Sequence, residues 1–355
     1  MQTLKDAAAV HKSGGGTGFS FGRIRGKGST VASTGRPAPG AVNVLQLYSD
    51  AIARVTQAGL RPGASMGVLP IDHPDIEQFI DCKQTEGSIT NFNISVAVTD
   101  QFMHNIIHGD RPDSGRQFIW DKIIDGAWRN GEPGILFMDT INNGALHVEP
   151  IEATNPCGEV PLRPYEACVL GSINLAAHVN GDGFVDWAEL AASTRTMVRL
   201  LDNVIEKQTD PITEIEAEQK RYRKIGVGVM GYADMLIKMG YEYGSEAALD
   251  LAENVMHYVQ DISYNESMHL AEEKGPYYGY YTEYTGTFDH PEGVGPSDRA
   301  DRNGDHGARP GQGTARLDGS GNPLPLRRNL CCQVIAPTGT ISRLAGCSFG
   351  IEPNY

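Results

Sequence analysis

The sequence has few cysteines and no framework among them. Six cysteines in 355 residues, unevenly spaced, exclude the disulfide scaffold of a small secreted domain and point to a reducing cytoplasm. There is no CxxC pair, and adjacent Cys331-Cys332 is no zinc signature, so no metal site is expected. Long apolar runs are missing too: none approaches the roughly 20 residues of a membrane span, and no signal-peptide pattern precedes the first helical segment. Positive charge is in deficit, with 30 Lys and Arg against 44 Asp and Glu and a formal charge of −14. That balance excludes the basic footprint of a nucleic-acid-binding protein.

One absence is local. Between Asp6 and Asp50 there is no acidic residue, although the chain contains 44. The same interval holds Lys12, Arg23, Arg25, Lys27 and Arg36 among glycines. A basic, acid-free stretch in an acidic chain marks an anion site, with phosphate the leading candidate and a ligand-free basic surface loop the alternative.

What is present is an alternation of short apolar runs and helical periods, which indicates an α/β architecture. Residues 1–12 read as the end of a helix running into Ser13-Gly14-Gly15-Gly16, followed by a short strand or turn at 18–21. Val42, Leu45, Leu47, Tyr48, Ile52 and Val55 predict a helix over 42–57. Strands are expected at 66–71 and 92–98, and helices near 74–82, 102–107, 119–130, 187–207 and 246–274. From Tyr278 to Pro325 Gly, Asp, Pro and Arg dominate without period, which predicts a solvated insertion. A buried strand resumes at 330–336. At this length the core is large enough for one large domain or two smaller ones.

Residues 154–159, Thr-Asn-Pro-Cys-Gly-Glu, carry the most chemistry. An amide, a thiol and a carboxylate alternate at Asn155, Cys157 and Glu159. In an extended segment these share one face roughly 6–7 Å apart, although Pro156 suits a loop better. A thiol between a hydrogen-bonding amide and a potential base is a catalytic arrangement; a buried, inert cysteine is the structural alternative.

The stretch ATNPCGEVPLRPYEACVLGSINLAAHV (153–179) resembles the active-site loop region of ribonucleotide reductase catalytic subunits, and its Asn-Pro-Cys-Gly-Glu form is most similar to the adenosylcobalamin-dependent class II enzymes. Further blocks resemble the family in the same order: HKSGGGTGFSFGRIRGKG (11–28), GASMGVLPIDHPDIEQFI (63–80), NFNISVAVT (91–99), RKIGVGVMGYADML (223–236) and APTGTISRLAGCSFGIEPNY (336–355). The likeness covers nearly everything outside about 279–326. It implies part of a ten-stranded α/β barrel over 1–355, with the cysteine on a central finger loop and specificity-site-like loops within 1–66. The family's first strand is expected upstream of Met1 and its last strands beyond Tyr355, so that complementary chain segments are needed and this stretch alone leaves open sheet edges.

The resemblance assigns Cys157 as the thiyl radical that takes the 3′ hydrogen of the ribose, Glu159 as base at the 3′ hydroxyl and Asn155 as a hydrogen-bonding partner of the sugar. A buried, solvent-protected thiol suits a radical. Cys168 matches one half of the reducing dithiol; its partner has no counterpart here. Cys82, Cys331, Cys332 and Cys347 read as small core or surface residues. Pro337, Thr338, Gly339, Thr340, Ile341 and Ser342 form a strand-to-helix phosphate cradle by likeness. Ser13, Gly14 and Gly15 line the nucleotide from the other side or allow tight backbone packing. Arg23, Arg25, Lys27 and Arg36 resemble the first loop of an allosteric specificity site, and Arg61 lies in the second.

The implied substrate is a ribonucleoside di- or triphosphate, the implied cofactor adenosylcobalamin, and the implied effector a dNTP or ATP. Implied partners are complementary reductase segments, a second copy in a homodimer and a thioredoxin-like thiol reductant, with no nucleic acid and no membrane. A class I-like large-subunit segment with a radical-generating partner, or a non-catalytic nucleotide-binding module, are the competing readings. Two motifs point elsewhere. Gly226–Gly231 fits G-x-G-x-x-G, but its flanks predict close helix packing, not dinucleotide binding. Asp72-His73-Pro74-Asp75 predicts a turn and a helix cap rather than a metal site.

Overall fold

A computed structural model describes residues 1–55, 63–85, 87–109, 114–144, 150–278 and 326–354. The insertion predicted at 279–326 therefore lies almost wholly outside the described residues. The chain forms two compact units, Met1–Pro164 and Tyr165–Tyr355.

The first unit is built on a four-stranded parallel sheet: β1 (Thr17–Ser20), β2 (Ser65–Pro70), β3 (Phe92–Val98) and β4 (Gly134–Phe137), in that spatial order. Helix α1 (Gln2–Lys12) precedes it; α2 (Ala41–Ala53), α3 (Ile76–Asp81), and α4 (Asp100–His108) with α5 (Ser114–Asn130) make the successive crossovers. Parallel neighbours require such crossovers. The strand order follows the chain without reversal, so this sheet has no topological switch point of the doubly wound kind. The runs β2 and β3 are apolar along most of their length because both faces are covered. Helix α2 buries Val42, Leu45, Ser49 and Ile52, the helical spacing seen in the sequence. Val42, Leu45 and Ile52 join Phe79, Phe92 and Ile94 in one core, where each large apolar side chain contributes about 1.5–3 kcal/mol. After β4 and α6 (Met138–Gly144), strands β5 (Ala153–Thr154) and β6 (Pro161–Leu162) form a short antiparallel hairpin.

The second unit centres on parallel strands β7 (Val169–Asn174) and β8 (Ile225–Met230). A 3-10 turn (Leu175–His178) leads from β7 towards α7 (Trp187–Lys207); α8 (Thr213–Tyr222), α9 (Tyr232–Met239), α10 (Glu246–Lys274) and α11 (Gly339–Ala345) complete the described elements. Asp186 caps α7 by accepting the Glu189 N–H at 3.0 Å, and Ser245 caps α10 through Ala248 N–H at 3.3 Å. Both long helices have the bounds read from the sequence. The strand expected at 330–336 differs: Gln333 makes a single parallel bridge to Val227 instead of a continuous ladder. The last bond to β8 is Val334 N–H to Val227 O at 3.3 Å, and Pro337, which lacks an N–H, follows two residues before α11 begins.

The G-x-G-x-x-G segment is β8 itself, with Gly231 opening α9 at φ +72°. A Cβ on Gly226 would lie 2.3 Å from Leu170 Cδ2, and one on Gly228 2.8 Å from the Val334 carbonyl. The glycines serve close packing, as expected, but of strands instead of helices.

Candidate active site

The hairpin β5–β6 carries the Asn-Pro-Cys-Gly-Glu motif at its tip. Residues 155–158 form a turn closed by Gly158 N–H donating to the Asn155 carbonyl at 3.1 Å. Pro156 presets the backbone angle at its second position, and Gly158 takes φ +90°, a conformation side chains disfavour. The extended alternation expected from spacing is therefore replaced by a fold-back. Asn155 Nδ2 donates to Glu159 Oε2 at 2.6 Å, while Asn155 Oδ1 accepts the Val160 N–H at 2.9 Å. Both ends of the amide are used, which fixes its orientation and holds the carboxylate beside it. Cys157 lies at the third turn position and is exposed instead of buried, because a residue at a turn tip has no element over it.

Three contacts seat this turn on the sheet. Asn93 Nδ2, from β3, donates to the Pro156 carbonyl at 2.7 Å. A Cβ on Gly16 would come 2.5 Å from Pro156 Cγ, and one on Gly18 only 1.8 Å from the Thr154 carbonyl oxygen. The glycine run after α1 thus lets β1 lie directly against β5. Ser13, Gly14 and Gly15 are occupied locally: their N–H groups donate to the last carbonyls of α1, and Ser13 Oγ donates to Val10 O at 2.8 Å. Nearby, buried His11 shares Nε2 with Thr17 Oγ1 at 2.8 Å, and burial pushes its pKa below the ordinary histidine value.

In the second unit Cys168 is half-buried just ahead of β7, its thiol 3.7 Å from the Val169 carbonyl oxygen. Two residues earlier, buried Glu166 accepts from buried Lys224 Nζ at 2.7 Å. The 337–342 segment leads into α11 from the singly bridged stretch at 330–336, so the strand of the expected strand-to-helix turn is reduced to that bridge. Thr338 has φ +58°, and its Oγ1 accepts the Gly350 N–H at 2.7 Å; Ser342 Oγ donates to Thr338 O at 2.7 Å. Both hydroxyls are spent on the turn itself. Gly339, Thr340 and Ile341 begin the helix, where backbone N–H groups have no intrahelical acceptor.

This sequence matches the family described as ribonucleotide reductase, barrel domain, over residues 1–112 and 115–355. The chain belongs to the ribonucleotide reductase barrel-domain family. It is 41% identical over its whole length to the vitamin B12-dependent ribonucleoside-diphosphate reductase of Thermoplasma acidophilum, covering 44% of that protein. It is 38% identical over 99% of its length to the protein of the same description from Mycobacterium tuberculosis, covering 48% of it. The chain thus spans about half the length of these relatives. Its fold matches the Actinobacillus ureae class Id ribonucleotide reductase alpha subunit with a TM-score of 0.74 at 23% identity, over 99% of this chain and 59% of that one.

Within this barrel domain, Arg25, Lys27 and Arg36 are exposed on the loop between β1 and α2, and Arg23 is held by Glu152. Arg61 lies outside the described residues. Burial pushes the Cys82 and Cys332 thiols up to about 12, which leaves them inert near neutral pH. Among the described residues no group of three or more His, Cys, Asp or Glu side chains could hold a metal ion, and no helix is long and apolar enough to cross a membrane. Sequence reading missed Asn93, whose amide side chain in an otherwise mostly apolar strand was the available signal. It also misassigned Asp75: the residue precedes α3 but its carboxylate makes no cap to that helix, being committed to Lys27 and Ala41 N–H groups instead.

Proposed function

We propose that the chain is the substrate-reducing part of a vitamin B12-dependent ribonucleotide reductase that converts ribonucleoside diphosphates to 2′-deoxyribonucleotides for DNA synthesis. The observation that carries this reading is the turn that joins Asn155 and Glu159 by a hydrogen bond and leaves the Cys157 thiol at its tip. The relatives' description as diphosphate reductases favours the diphosphate over the triphosphate.

An exposed thiol on a loop fits a cofactor that must approach from outside the hairpin, and Cys157 is the residue that would meet it. Adenosylcobalamin, when bound, supplies the one-electron chemistry that turns a thiol into a thiyl radical. The Cys157 radical then takes the 3′ hydrogen of the ribose, re-forming S–H and leaving the radical on carbon. Glu159, held by Asn155, accepts the 3′ hydroxyl proton. The 2′ hydroxyl departs as water with a proton from a dithiol that includes Cys168; the dithiol's other hydrogen goes to carbon 2′, its two electrons reduce the sugar as it closes to a disulfide, and Glu159 returns its proton to the 3′ oxygen. Cys157 finally returns a hydrogen atom to carbon 3′. Bound substrate keeps water off the tip during these steps. The first-turn N–H groups of 339–341 take the substrate phosphates, with Pro337, Thr338 and Ser342 shaping the turn and Ser13, Gly14 and Gly15 lining the site. A thioredoxin-like protein re-reduces the disulfide, a dNTP or ATP sets specificity through the basic loop, and the working enzyme is a cytoplasmic homodimer that includes the remaining length of its relatives.

The test is 2′-deoxynucleotide formation from a ribonucleoside diphosphate and a dithiol, with the chain supplemented by polypeptides supplying the rest of a relative's length. Product that requires adenosylcobalamin and disappears in Cys157→Ser supports the proposal. Product that instead requires a separate radical-generating subunit supports a class I-like enzyme. Nucleotide binding without turnover supports a binding module.

A further inference from the structure

The loop between β1 and α2 is a small hairpin. Thr30 bridges Pro37 in antiparallel fashion, Val31 N–H donates to Arg36 O at 2.8 Å, Ala38 N–H donates to Ser29 O at 2.7 Å and Gly28 N–H donates to Ala38 O at 3.0 Å. An isolated two-stranded hairpin of this size is marginal in water. It carries exposed Lys27 and Arg36, follows exposed Arg25, and has no acidic residue within it.

Its base is held by two buried residues from the turn before α3. Asp75 is 7% exposed and splits its carboxylate: Oδ1 accepts the Lys27 N–H at 2.8 Å and Oδ2 the Ala41 N–H at 2.7 Å. These are the two ends of the hairpin. Ala41 opens α2, whose cap position is Gly40 with no side chain to offer, so Asp75 caps that helix from another element. His73, also 7% exposed, accepts the Asp75 N–H on Nδ1 at 3.0 Å, which leaves Nε2 as the donor to Ile24 O at 2.7 Å. Glycine permits the close approach: a Cβ on Gly26 would lie 2.8 Å from Pro74 Cβ, and one on Gly40 2.7 Å from Asp75 Oδ2.

We propose that Asp75, oriented by His73, is the positioning residue of the basic hairpin, setting the separation of its two ends and hence the placement of Lys27 and Arg36 for a nucleotide polyphosphate. This rests on the effector reading of that loop given above. A neutral packing role for Asp75 would be met by any side chain of similar size; two simultaneous N–H acceptors would not. Asparagine offers one carbonyl oxygen and turns an NH2 group towards the other N–H, so it keeps at most one of the two bonds.

The test combines amide hydrogen exchange with dATP titration on the full chain, comparing wild type with Asp75→Asn, Asp75→Ala and Asp75→Glu. Loss of a charge-assisted hydrogen bond predicts exchange across 24–41 faster by about tenfold or more in Asp75→Asn, with the rest of the chain unchanged. The dATP dissociation constant is expected to rise about tenfold, with Asp75→Glu lying between wild type and Asp75→Asn. Unchanged exchange across 24–41 in Asp75→Asn overturns the proposal, as does an affinity that stays constant while exchange quickens. If exchange quickens but wild type binds no nucleotide, the effector reading fails and the mechanical role of Asp75 stands. Should Asp75→Ala fail to fold, Asp75→Asn alone decides.

Discussion

Gly18→Ala is the sharpest perturbation of the seat under the thiol-bearing turn. The added Cβ would lie 1.8 Å from the Thr154 carbonyl oxygen and 3.0 Å from its carbon, whereas ordinary contact begins near 3.4 Å. The obstacle is backbone, so no rotamer change relieves it. Either β5 separates from β1 by more than an ångström, or β1 slips from its pairing of Gly18 with Met66. Overpacking of this kind costs about 1–3 kcal/mol. The functional cost is larger, because a 1 Å misplacement of a reacting group can lower a rate by about 100-fold. The assay pairs urea denaturation with turnover of the supplemented enzyme. Gly181→Ala is the control, since a Cβ there meets nothing within 4 Å. A Gly18→Ala variant with an unchanged unfolding midpoint and turnover within about twofold of wild type would refute the packing argument.

Asn93→Ala removes the 2.7 Å bond to the Pro156 carbonyl from a partly solvated site, so stability should fall by only about 0.5–1.5 kcal/mol while kcat falls about tenfold at near-constant KM; a KM effect alone contradicts a positioning role. Asp202 is fully buried and accepts from Arg223 Nε at 2.9 Å, Arg223 Nη2 at 2.7 Å and Asn329 Nδ2 at 3.2 Å, with Lys274 Nζ at 3.3 Å from its other oxygen. Burial alone would raise its pKa, but Arg223, Arg328 and Lys274 outweigh it and hold the carboxyl below its ordinary value. Its stabilisation is therefore complete above the unfolded pKa of about 3.9 and is lost as pH falls through the lower folded value. Asp202→Asn should cost about 3–5 kcal/mol at pH 7, because buried guanidinium groups lose their counter-charge. The deficit should shrink only below about pH 4, and thermal melts showing it shrinking already at pH 6 would contradict the assignment.

Much of this architecture was legible in the sequence where one physical signal dominated. Helices α7 and α10 follow from apolar periodicity bounded by Asp186 and Ser245 caps, and β3 from an apolar run starting at Phe92. The finger-loop chemistry was legible as residue types, but its geometry was not. Spacing places Asn155, Cys157 and Glu159 on alternate positions, whereas the Asn155–Gly158 turn, set by Pro156 and Gly158, brings the first and last into contact. Strand β8 was hidden because Gly226 and Gly228 remove the apolar signal that its buried position demands, and neighbours distant in sequence, among them Leu170 and Val334, explain them. Asp75 was misread for a different reason. A carboxylate before a helix usually caps that helix, and nothing local reveals that Ala41, 34 residues away, presents a better donor.

The central claim is that Cys157, on the turn tied by Asn155 and Glu159, is the group that takes hydrogen from carbon 3′ of the ribose. The most direct measurement is deoxynucleotide formation from a 3′-deuterated ribonucleoside diphosphate, compared with the protiated substrate, by the supplemented enzyme and its Cys157→Ser variant. The account predicts slower product formation from the deuterated substrate by wild type and no product from the variant with either substrate. Product formed by Cys157→Ser would contradict it and would move the reacting thiol elsewhere in the protein.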